Sequence, residues 1–494
     1  MSSGATQSGP LGSDTATATP RWERAAVVGL LVYFVARTVF LAWMLAPGIP
    51  PDEATHLGRI GLYSAVPLVP IDSAASAELG LVGHRPYLYY FSMGRLLQLG
   101  PAGIGELRFL RLANCILGLF TALVAYRWIR LVSSSPPVRL AFLVFMTNTL
   151  MWSGLFASVS YDNLANLLAA LACYQLTRFC TERNFGSLAA FGLWTGLGIL
   201  TKQTLLPLAA ILLLVLLVRE RRDLPSLLRG SWAWLRAPNP SRWLLGGLLL
   251  VTAAGCIGLY GGNLVRYGRL VPGLEQVVGA QAAMENRIFA RNHIVKEFRT
   301  GRLGYSEAIR MAGQIRHLGD RRDLKQLLNR MRDAGDERMG LLPYLGAWTR
   351  LMFEGIYGYF GHGRIIPSRA ELAPFYLCYL LAALGLAWRG RAESSRRELL
   401  AAAVIVAGYA AVLIFWVHRP AYANTGSLSL AVQGRYLFPV LLPLYGLVAT
   451  GLFALFAPRV RPLVALASAG YFVYADLPYL LSHAPAAWWQ AGLD

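Results

Sequence analysis

Charged residues and cysteines are scarce in this sequence, and each scarcity excludes a class of protein. Only 15% of the 494 residues are charged while 55% are apolar, a balance too hydrophobic for an ordinary soluble enzyme. The five cysteines fall within or beside apolar stretches and show neither a pairing pattern nor a metal-binding spacing. We interpret them as small packing residues, so a disulfide-stapled or zinc-based fold is not indicated.

Apolar stretches of about 18 to 24 residues recur along the chain, and a bilayer-spanning helix needs about 20. We therefore predict an all-α, polytopic membrane protein with about eleven transmembrane helices. The predicted spans are 25–46, 109–131, 138–157, 161–180, 186–200, 203–218, 243–264, 373–388, 399–417, 435–457 and 462–481.

The net charge of +20 is dispersed among the short connections between these stretches. Arginines cluster in alternate connections, for example in 219–242 and 389–397, which is the positive-inside pattern of membrane proteins. Because no single basic domain is present, nucleic-acid binding is not indicated. The pattern predicts a cytoplasmic N-terminus and places two long loops on the outer side.

The predicted organisation has four parts. Helical periodicity inside the second long loop predicts small outer helices over Glu275–Phe298, Ser306–Leu318 and Asp323–Ala334, and an interfacial segment over Leu341–Phe360. The parts are a disordered cytoplasmic N-terminus (1–20), an N-terminal transmembrane module (21–264) with a first outer loop (47–108), an extracytoplasmic helical loop (265–372) and C-terminal transmembrane helices (373–494).

An acidic turn, Pro50-Pro51-Asp52-Glu53-Ala54-Thr55-His56, directly follows the first predicted span. The two prolines disfavour helix, so two carboxylates and an imidazole are held on a structured turn at the water boundary. Ionisable groups at such a place are candidates for function. The pair could also be a solvated helix cap, and the turn lacks the first histidine of a His-Glu-x-x-His zinc motif.

Other outer span ends also carry polar groups that a passive helix bundle does not need. A carboxylate among them could take a proton, and cations could stabilise a departing phosphate, as transfer from a lipid-phosphate donor requires. Beside Asp52 and Glu53, the candidate residues are His56, Asp162, Lys202, Gln203, His362, Arg364, His418, Arg419, Gln433, Arg435 and Tyr436.

Several of these residues have simpler interpretations. Asp162 could cap its helix, and Arg419 or Arg435 alone could be an interfacial residue that extends to the headgroups. Arg37, near the middle of the first span, would cost about 2.5–3.5 kcal/mol if it faced lipid, so we expect it to pair with a carboxylate inside the bundle.

The motifs resemble those of the GT-C class of membrane glycosyltransferases. The nearest resemblance is to a bacterial membrane-protein family, long of unknown function, that is related to the protein O-mannosyltransferases and the lipid A aminoarabinose transferase. It is carried by Pro51–His56, Ser158–Asn166, Gly198–Thr204 and Gln433–Pro439, with Tyr357–Gly361 as a fifth segment. The family commonly has proline at the position of Ala54.

The resemblance implies a sugar transfer with inversion from a polyprenyl-phosphate donor to a glycan, lipid or protein acceptor. In this class the first-loop aspartate is the general base, which assigns that role to Asp52. The resemblance makes Glu53 the second acid, which would hold the acceptor or help set the protonation of the base. Arg435, Lys202 and Arg419 would meet the donor phosphate. The site would face outward from a bacterial inner membrane. A divalent metal occurs in some members of the class, but no cofactor is expected here, and the Asp-x-Asp motif of nucleotide-sugar enzymes is missing.

Two other functions stay open from the sequence. A transporter or flippase of lipid-linked glycans would need ionisable groups through the whole membrane depth, whereas here only Arg37 is deep. A polymerase or ligase of such glycans shares the helical architecture but usually relies on outer arginines without an acidic pair in the first loop.

Overall fold

The computed structural model describes residues 20–100, 103–236, 239–315, 318–334, 338–361, 364–389, 396–428 and 430–490. Apart from Pro20, the N-terminal segment predicted to be disordered lies outside these residues, and so does His362.

The described chain is almost entirely helical. Its first half, which carries the acidic turn, contains α1 (Arg21–Met44), α2 (Glu53–Ala65), α3 (Leu88–Gln98), α4 (Glu106–Val132), α5 (Pro136–Thr147), α6 (Leu150–Phe156), α7 (Tyr161–Glu182), α8 (Phe185–Thr201), α9 (Leu205–Glu220), α10 (Leu224–Arg236), α11 (Pro240–Cys256) and α12 (Gly262–Tyr267). A 3₁₀ turn, Ala74–Leu79, lies between α2 and α3, and a π-helical turn, Ile257–Gly261, joins α11 to α12.

The second half begins with the outer helices and returns to spanning helices. It contains α13 (Leu274–Val278), α14 (Ala280–Ala283), α15 (Arg287–Arg299), α16 (Tyr305–Gln314), α17 (Leu318–Ala334), α18 (Leu341–Tyr357), α19 (Arg369–Arg389), α20 (Arg396–Val412), α21 (Arg419–Thr425), α22 (Leu441–Ala454), α23 (Arg461–Tyr474) and α24 (Leu477–His483). A two-stranded hairpin, β1 (Tyr359–Phe360) and β2 (Arg364–Ile365), follows α18. The turns Leu413–His418 (π), Gly434–Val440 (3₁₀) and Ala486–Trp488 (3₁₀) complete the described elements.

Seven helices of the described chain are long and apolar enough to cross a membrane, or eight if α5 and α6, bent by 62°, form one broken span. An all-α polytopic membrane protein is therefore confirmed, but the predicted count of eleven is not. The stretches predicted at 161–180, 186–200 and 203–218 do form helices, α7, α8 and α9. Of these, α8 and α9 have only 17 and 16 residues, fewer than the ~20 of a typical span.

The span from Gly434 to Ala454 lies at the centre of the bundle. Of its apolar window 89% is buried, against 44% or less for each of the other six spans, which show more of their surface to lipid. Aromatic side chains fill the space around it; the rings of Phe145 and Phe472, for example, are stacked 4.3 Å apart. The start of this central span therefore places Arg435 inside the protein and not at a lipid-facing surface.

The predicted outer helices are present, with one difference. The segment predicted as a single helix over Glu275–Phe298 is divided into α13, α14 and α15. Gly279 has a positive φ of 84°, and the side chain of Asn286 accepts hydrogen bonds from the first amides of α15, so the helix ends and restarts there. The segment predicted to be interfacial forms α18, which ends at Tyr357 before the hairpin.

Arg37 has the partner that the sequence left unidentified. Its Nη1 lies 2.9 Å from Oδ2 of Asp476, which follows α23, and both side chains are fully buried. Asn148 and Ser153 complete the site, since Asn148 accepts from Arg37 at 2.6 Å and Ser153 donates to Asp476 at 2.8 Å. The expected pairing inside the bundle is confirmed.

We predict that Asp476→Asn lowers the free energy of unfolding by about 3–5 kcal/mol, because it leaves Arg37 buried without its counter-ion. Thermal denaturation of the purified protein in detergent measures the loss. Arg350→Gln is the control, since the Arg350 side chain is 55% exposed and lies 3.7 Å from Glu354. Equal losses in the two variants would contradict the role given to Asp476.

Candidate active site

The turn after α1 is held by close backbone packing. Gly361, in the hairpin after α18, lies so near Ile49 that an added Cβ would collide with the Ile49 carbonyl oxygen. Asp52 then adopts a left-handed conformation, with φ 57° and ψ 11°, and begins α2. Within the described chain only Asp52 and Arg183 have positive φ without being glycine. Such a conformation costs about 1–2 kcal/mol, so the surrounding contacts must hold it in place.

Glu53, the neighbour of Asp52, is anchored in the protein interior. Its two carboxylate oxygens accept from Arg111 at 2.9 and 2.6 Å, and the backbone amide of Val159 donates to it at 3.1 Å. Arg111 also donates to the carbonyl oxygens of Ala42 and Leu45, at the end of α1. This buried clamp joins α1, α2, α4 and the turn before α7, and it fixes the position of the residue before Glu53.

Arg435 reaches Asp52 because the backbone at Gly434 packs directly against the backbone of α18. An added Cβ on Gly434 would collide with the main chain of Gly355, in α18, so only a glycine permits this approach. The adjacent Arg435 is 4% exposed and places Nη2 2.5 Å from Oδ2 of Asp52. Its Nε donates to Gln433 at 2.7 Å, which fixes the guanidinium plane.

A chain of alternating charges runs inward from Asp52. Beyond Arg435 comes Asp162, whose Oδ2 lies 3.7 Å from Arg435 Nη1, and then Lys202, whose Nζ lies 2.5 Å from Asp162 Oδ1. Asp162 and Lys202 are 2% and 3% exposed, so these charges attract one another in a largely dry environment. The structure brings together four of the residues predicted from separate span ends.

Asp162 does not cap its helix. The cap of α7 is Ser160, whose hydroxyl accepts from the Asp162 amide at 3.2 Å, so the Asp162 carboxylate is left to pair with Lys202. The simpler interpretation offered by the sequence is thus wrong for this residue.

Aromatic rings surround the buried cation. Lys202 Nζ is 5.0 Å from the ring centre of Tyr161 and 5.2 Å from that of Tyr436, distances at which a cation is attracted to a ring face. On the far side of Tyr161, the His56 ring lies 4.9 Å away. His418 lies 5.5 Å from the Tyr436 ring and accepts from Trp348 Nε1 at 2.8 Å.

His56 has one partnered and one unpartnered ring nitrogen. Its Nδ1 lies 2.9 Å from the Tyr90 hydroxyl, which itself accepts from Arg59 at 3.1 Å. The other ring nitrogen, Nε2, is a buried atom with no hydrogen-bond partner among the described residues.

The second cation on Asp52 comes from the outer helices and was not predicted from the sequence. Arg287, at the start of α15, donates from Nη2 to Asp52 Oδ1 at 3.0 Å and from Nη1 to Asp320 Oδ2, in α17, at 2.8 Å. The periodicity of α15 indicates a helix, but nothing in the sequence shows which residue of it faces the site. Arg111 was missed as well, because it lies inside a predicted span.

The ionisation of the acidic turn follows from these neighbours. Burial alone would raise the pKa of the Asp52 carboxyl, but Arg435, with His56 and Arg287, holds this pKa well below its usual range. Burial lowers the pKa of His56 to about 3, against the opposing charge of Asp52. At neutral pH Asp52 is therefore a carboxylate and His56 is a neutral imidazole.

Three predicted residues do not converge on Asp52. Gln203 is exposed and accepts from Arg85, Arg419 is exposed after the π-helical turn, and Arg364 is exposed in the hairpin. Among the described residues no group of three His, Cys, Asp or Glu side chains is arranged to hold a metal ion.

The site has unmet hydrogen-bonding capacity. Asp162 Oδ2 and Arg435 Nη1, like His56 Nε2, are buried atoms without a hydrogen-bond partner in the part of the chain that the structure describes. A buried polar atom left unpaired costs about 1–3 kcal/mol, and such atoms converge here from three elements. The arrangement is suited to receive a polar, anionic group among paired charges.

The fold and these charges define an integral membrane protein with a polar site at one face of its helix bundle. Residues 101–238 match the family of dolichyl-phosphate-mannose-protein mannosyltransferases, and this segment contains Arg111, Asp162 and Lys202. The match confirms the resemblance to GT-C glycosyltransferases that the motifs predict. No curated protein matches the sequence.

Solved structures also align with most of this chain. The oligosaccharyltransferase AglB from Archaeoglobus fulgidus, in complex with an inhibitory peptide and a dolichol-phosphate, gives a TM-score of 0.43 at 12% identity over 96% of this chain and 57% of that one. ArnT from Cupriavidus metallidurans, bound to undecaprenyl phosphate, gives a TM-score of 0.36 at 14% identity over 88% of this chain and 77% of that one. The arabinosyltransferase EmbB from Mycobacterium smegmatis gives a TM-score of 0.34 at 13% identity over 84% of this chain and 44% of that one. The chain thus spans little more than half the length of AglB.

The two adjacent carboxylates should differ in their effect on stability. Glu53→Gln leaves Arg111 buried without a counter-ion, and we expect it to lower the free energy of unfolding by about 3–5 kcal/mol. Asp52→Asn should cost less, because the Asp52 side chain is 35% exposed and solvent screens its ion pairs. Thermal denaturation in detergent measures both, and a larger loss from Asp52→Asn would show that the clamp is not the anchor of the turn.

Proposed function

We propose that this protein transfers a sugar from a polyprenyl-phosphate donor to a hydroxyl acceptor, with Asp52 as general base. The observation that carries the proposal is the line of charges Asp52, Arg435, Asp162 and Lys202, which joins a partly exposed carboxylate to two buried cations. The family matched by residues 101–238, whose description names a polyprenyl-phosphate sugar, supports the choice of donor.

The reaction follows from the position of each group. The acceptor oxygen attacks the anomeric carbon while the bond from that carbon to the phosphate oxygen breaks, and the acceptor proton passes to Asp52. Arg435 and Lys202 stabilise the negative charge that develops on the departing polyprenyl phosphate. A single displacement of this kind inverts the anomeric configuration.

Donor binding would also activate the base. Arg435 is shared in the free protein between Asp52 and Asp162, and a phosphate placed beside it competes with the Asp52 carboxylate for the same N–H groups. Weakening the contact of 2.5 Å between Arg435 and Asp52 raises the proton affinity of Asp52 when the donor is present. The carboxylate is thus a poor base alone and a better one in the complex.

Glu53 serves this reaction by position. It is fully buried, and both its oxygens are occupied by Arg111, so it holds the turn and does not contact the acceptor. The sequence resemblance made Glu53 a second acid that holds the acceptor or sets the protonation of the base, and the buried clamp favours the positioning role.

The site is proposed to lie outside the cytoplasm, in the inner membrane of a bacterium. The basic connections at the opposite ends of the spanning helices would lie in the cytoplasm by the positive-inside rule. The acidic turn, α15 and the start of the central span would then face outward, where a lipid-linked sugar can be used without a nucleotide.

We expect Asp52→Asn to abolish sugar transfer, because the amide cannot take the acceptor proton. The assay follows release of polyprenyl phosphate from a labelled polyprenyl-phosphate sugar by the purified protein. Glu307→Gln is the control, since Glu307 is an exposed carboxylate in α16. Undiminished transfer by Asp52→Asn would refute the assignment. Movement of the donor across vesicle membranes without bond exchange would favour a transporter instead.

The free protein should show no acid limb from Asp52 or His56 between about pH 5 and 8 in its kcat/KM profile, which reports ionisations of the free enzyme. The lowered pKa of Asp52 keeps the required carboxylate ionised as pH falls, and a His56 pKa of about 3 keeps the imidazole neutral over the same range. A loss of kcat/KM with an apparent pKa near 6.5, abolished by His56→Gln, would contradict this.

A further inference from the structure

A cavity of about 450 Å³ lies beside the acidic turn. Ala54 and Thr55, the second and third residues after Asp52, form one wall, and Arg287 forms part of another. The remaining wall residues come from the turn Ala74–Leu79 and from the region of α14 to α16. None of these elements belongs to a candidate membrane span, so the cavity lies in the outer layer of the protein.

The cavity has the size and lining of a ligand site. Its volume falls in the range of about 300–1,000 Å³ that is usual for small-molecule pockets. Thr55, Gln314 and Arg287 offer hydrogen bonds, while Met284 and Met311 supply flexible apolar surface that adapts to different shapes. It is distinct from the buried charges, which approach Asp52 through Arg435.

Asp52 therefore has two sides. Its Oδ2 contacts Arg435, from the central span, and its Oδ1 contacts Arg287, from α15. Arg287 is 27% exposed and already holds a second carboxylate, Asp320, at 2.8 Å. It can therefore release Asp52 and keep a hydrogen-bonded counter-ion, whereas the second carboxylate of Arg435, Asp162, lies 3.7 Å away.

We propose that this cavity receives the acceptor, as an alcohol carried by a molecule outside the hydrocarbon layer, and that Arg287 is a positioning residue which occupies Asp52 until the acceptor displaces it. The proposal rests on the proposed function. In the transfer step the alcohol proton passes to the Asp52 carboxylate, the alcohol oxygen bonds to the anomeric carbon, and the phosphate leaves with the bonding electrons.

This arrangement protects the donor from water. A carboxylate engaged by two arginines is a weak base, so water near Asp52 is not activated when the cavity is empty. An acceptor that fills the cavity moves Arg287 toward Asp320 and frees Oδ1 at the moment when its own hydroxyl is beside it. Arg287 thus couples the start of the reaction to occupancy of the cavity.

The first test measures how the donor is partitioned. Purified protein is given a labelled polyprenyl-phosphate sugar, with glycerol as a small alcohol probe, and both free sugar and glyceryl glycoside are counted. Arg287→Gln should raise donor loss to water and to glycerol by up to about tenfold, the factor that one pKa unit carries. The acid limb of donor hydrolysis should also move to higher pH, because Arg287 no longer lowers the pKa of Asp52; Arg435 and His56 still do.

Arg310→Gln is the matched control, since Arg310 is a 63% exposed arginine of α16 outside the cavity lining. A wild-type protein that never cleaves the donor would overturn the proposed function itself. The other adverse outcome is that the wild-type protein cleaves the donor, but the Arg287→Gln variant loses both hydrolysis and transfer to glycerol and keeps the wild-type pH profile. That result would overturn only the role of Arg287.

The second test does not depend on Arg287. In a Gln314→Cys variant, methanethiosulfonate reagents of increasing size attach to a cavity wall, and the unlabelled variant and labelled wild type serve as controls. If the cavity is the acceptor subsite, glyceryl glycoside formation falls as reagent size rises and recovers fully when reductant removes the reagent. Donor hydrolysis persists throughout. Loss of both reactions in parallel, or of neither, would contradict the assignment.

Discussion

The buried ion pair between Arg111 and Glu53 is the constraint on which the site depends. Arg111 donates its remaining hydrogen bonds to the end of α1, and Glu53 accepts a hydrogen bond from a backbone amide in the turn before α7. Two spanning helices, α1 and α4, therefore meet α2 and this turn at one ion pair. An ion pair of this kind adds little net stability, because the desolvation of two charges offsets their attraction. The ion pair instead fixes position, because it anchors Glu53 and so helps to hold the adjacent Asp52 in its left-handed conformation.

Buried ion pairs recur through the molecule. Arg37 lies on Asp476, Arg139 on Glu23 and Lys202 on Asp162, each at 2.5 to 2.9 Å. Arg37 and Asp476 are fully buried beside Asn148 and Ser153, and they hold helices together. The pair at Lys202 differs because it continues through Arg435 to Asp52, a partly exposed carboxylate. That difference separates a structural ion pair from a site that can exchange partners with a ligand.

The sequence allowed the spanning character and the inner half of the site to be predicted, for a physical reason. A charged residue at the end of an apolar stretch is visible against its background, and Asp52, Asp162, Lys202 and Arg435 each stand at such an end. Arg111 and Asp476 were hidden because they lie inside or beside predicted spans, where a charge is expected to face some unknown partner. Arg287 was hidden for the opposite reason: α15 is rich in charge, and only its docking on Asp52 singles one arginine out.

The two halves of the site also have different origins along the chain. Arg111, Asp162 and Lys202 all lie within the 101–238 segment that matches the mannosyltransferase family, on helices that pack in the membrane. Arg287 and Asp320, on the outer helices, lie outside this match, and so do Asp52 and Arg435. Under the proposed function, the cations that meet the donor phosphate, Arg435 and Lys202, are fixed in the packed bundle, where their side chains are 4% and 3% exposed. Under the proposed function, the outer helices and the buried charges meet at Asp52, where Arg287 contacts one carboxylate oxygen and Arg435 the other.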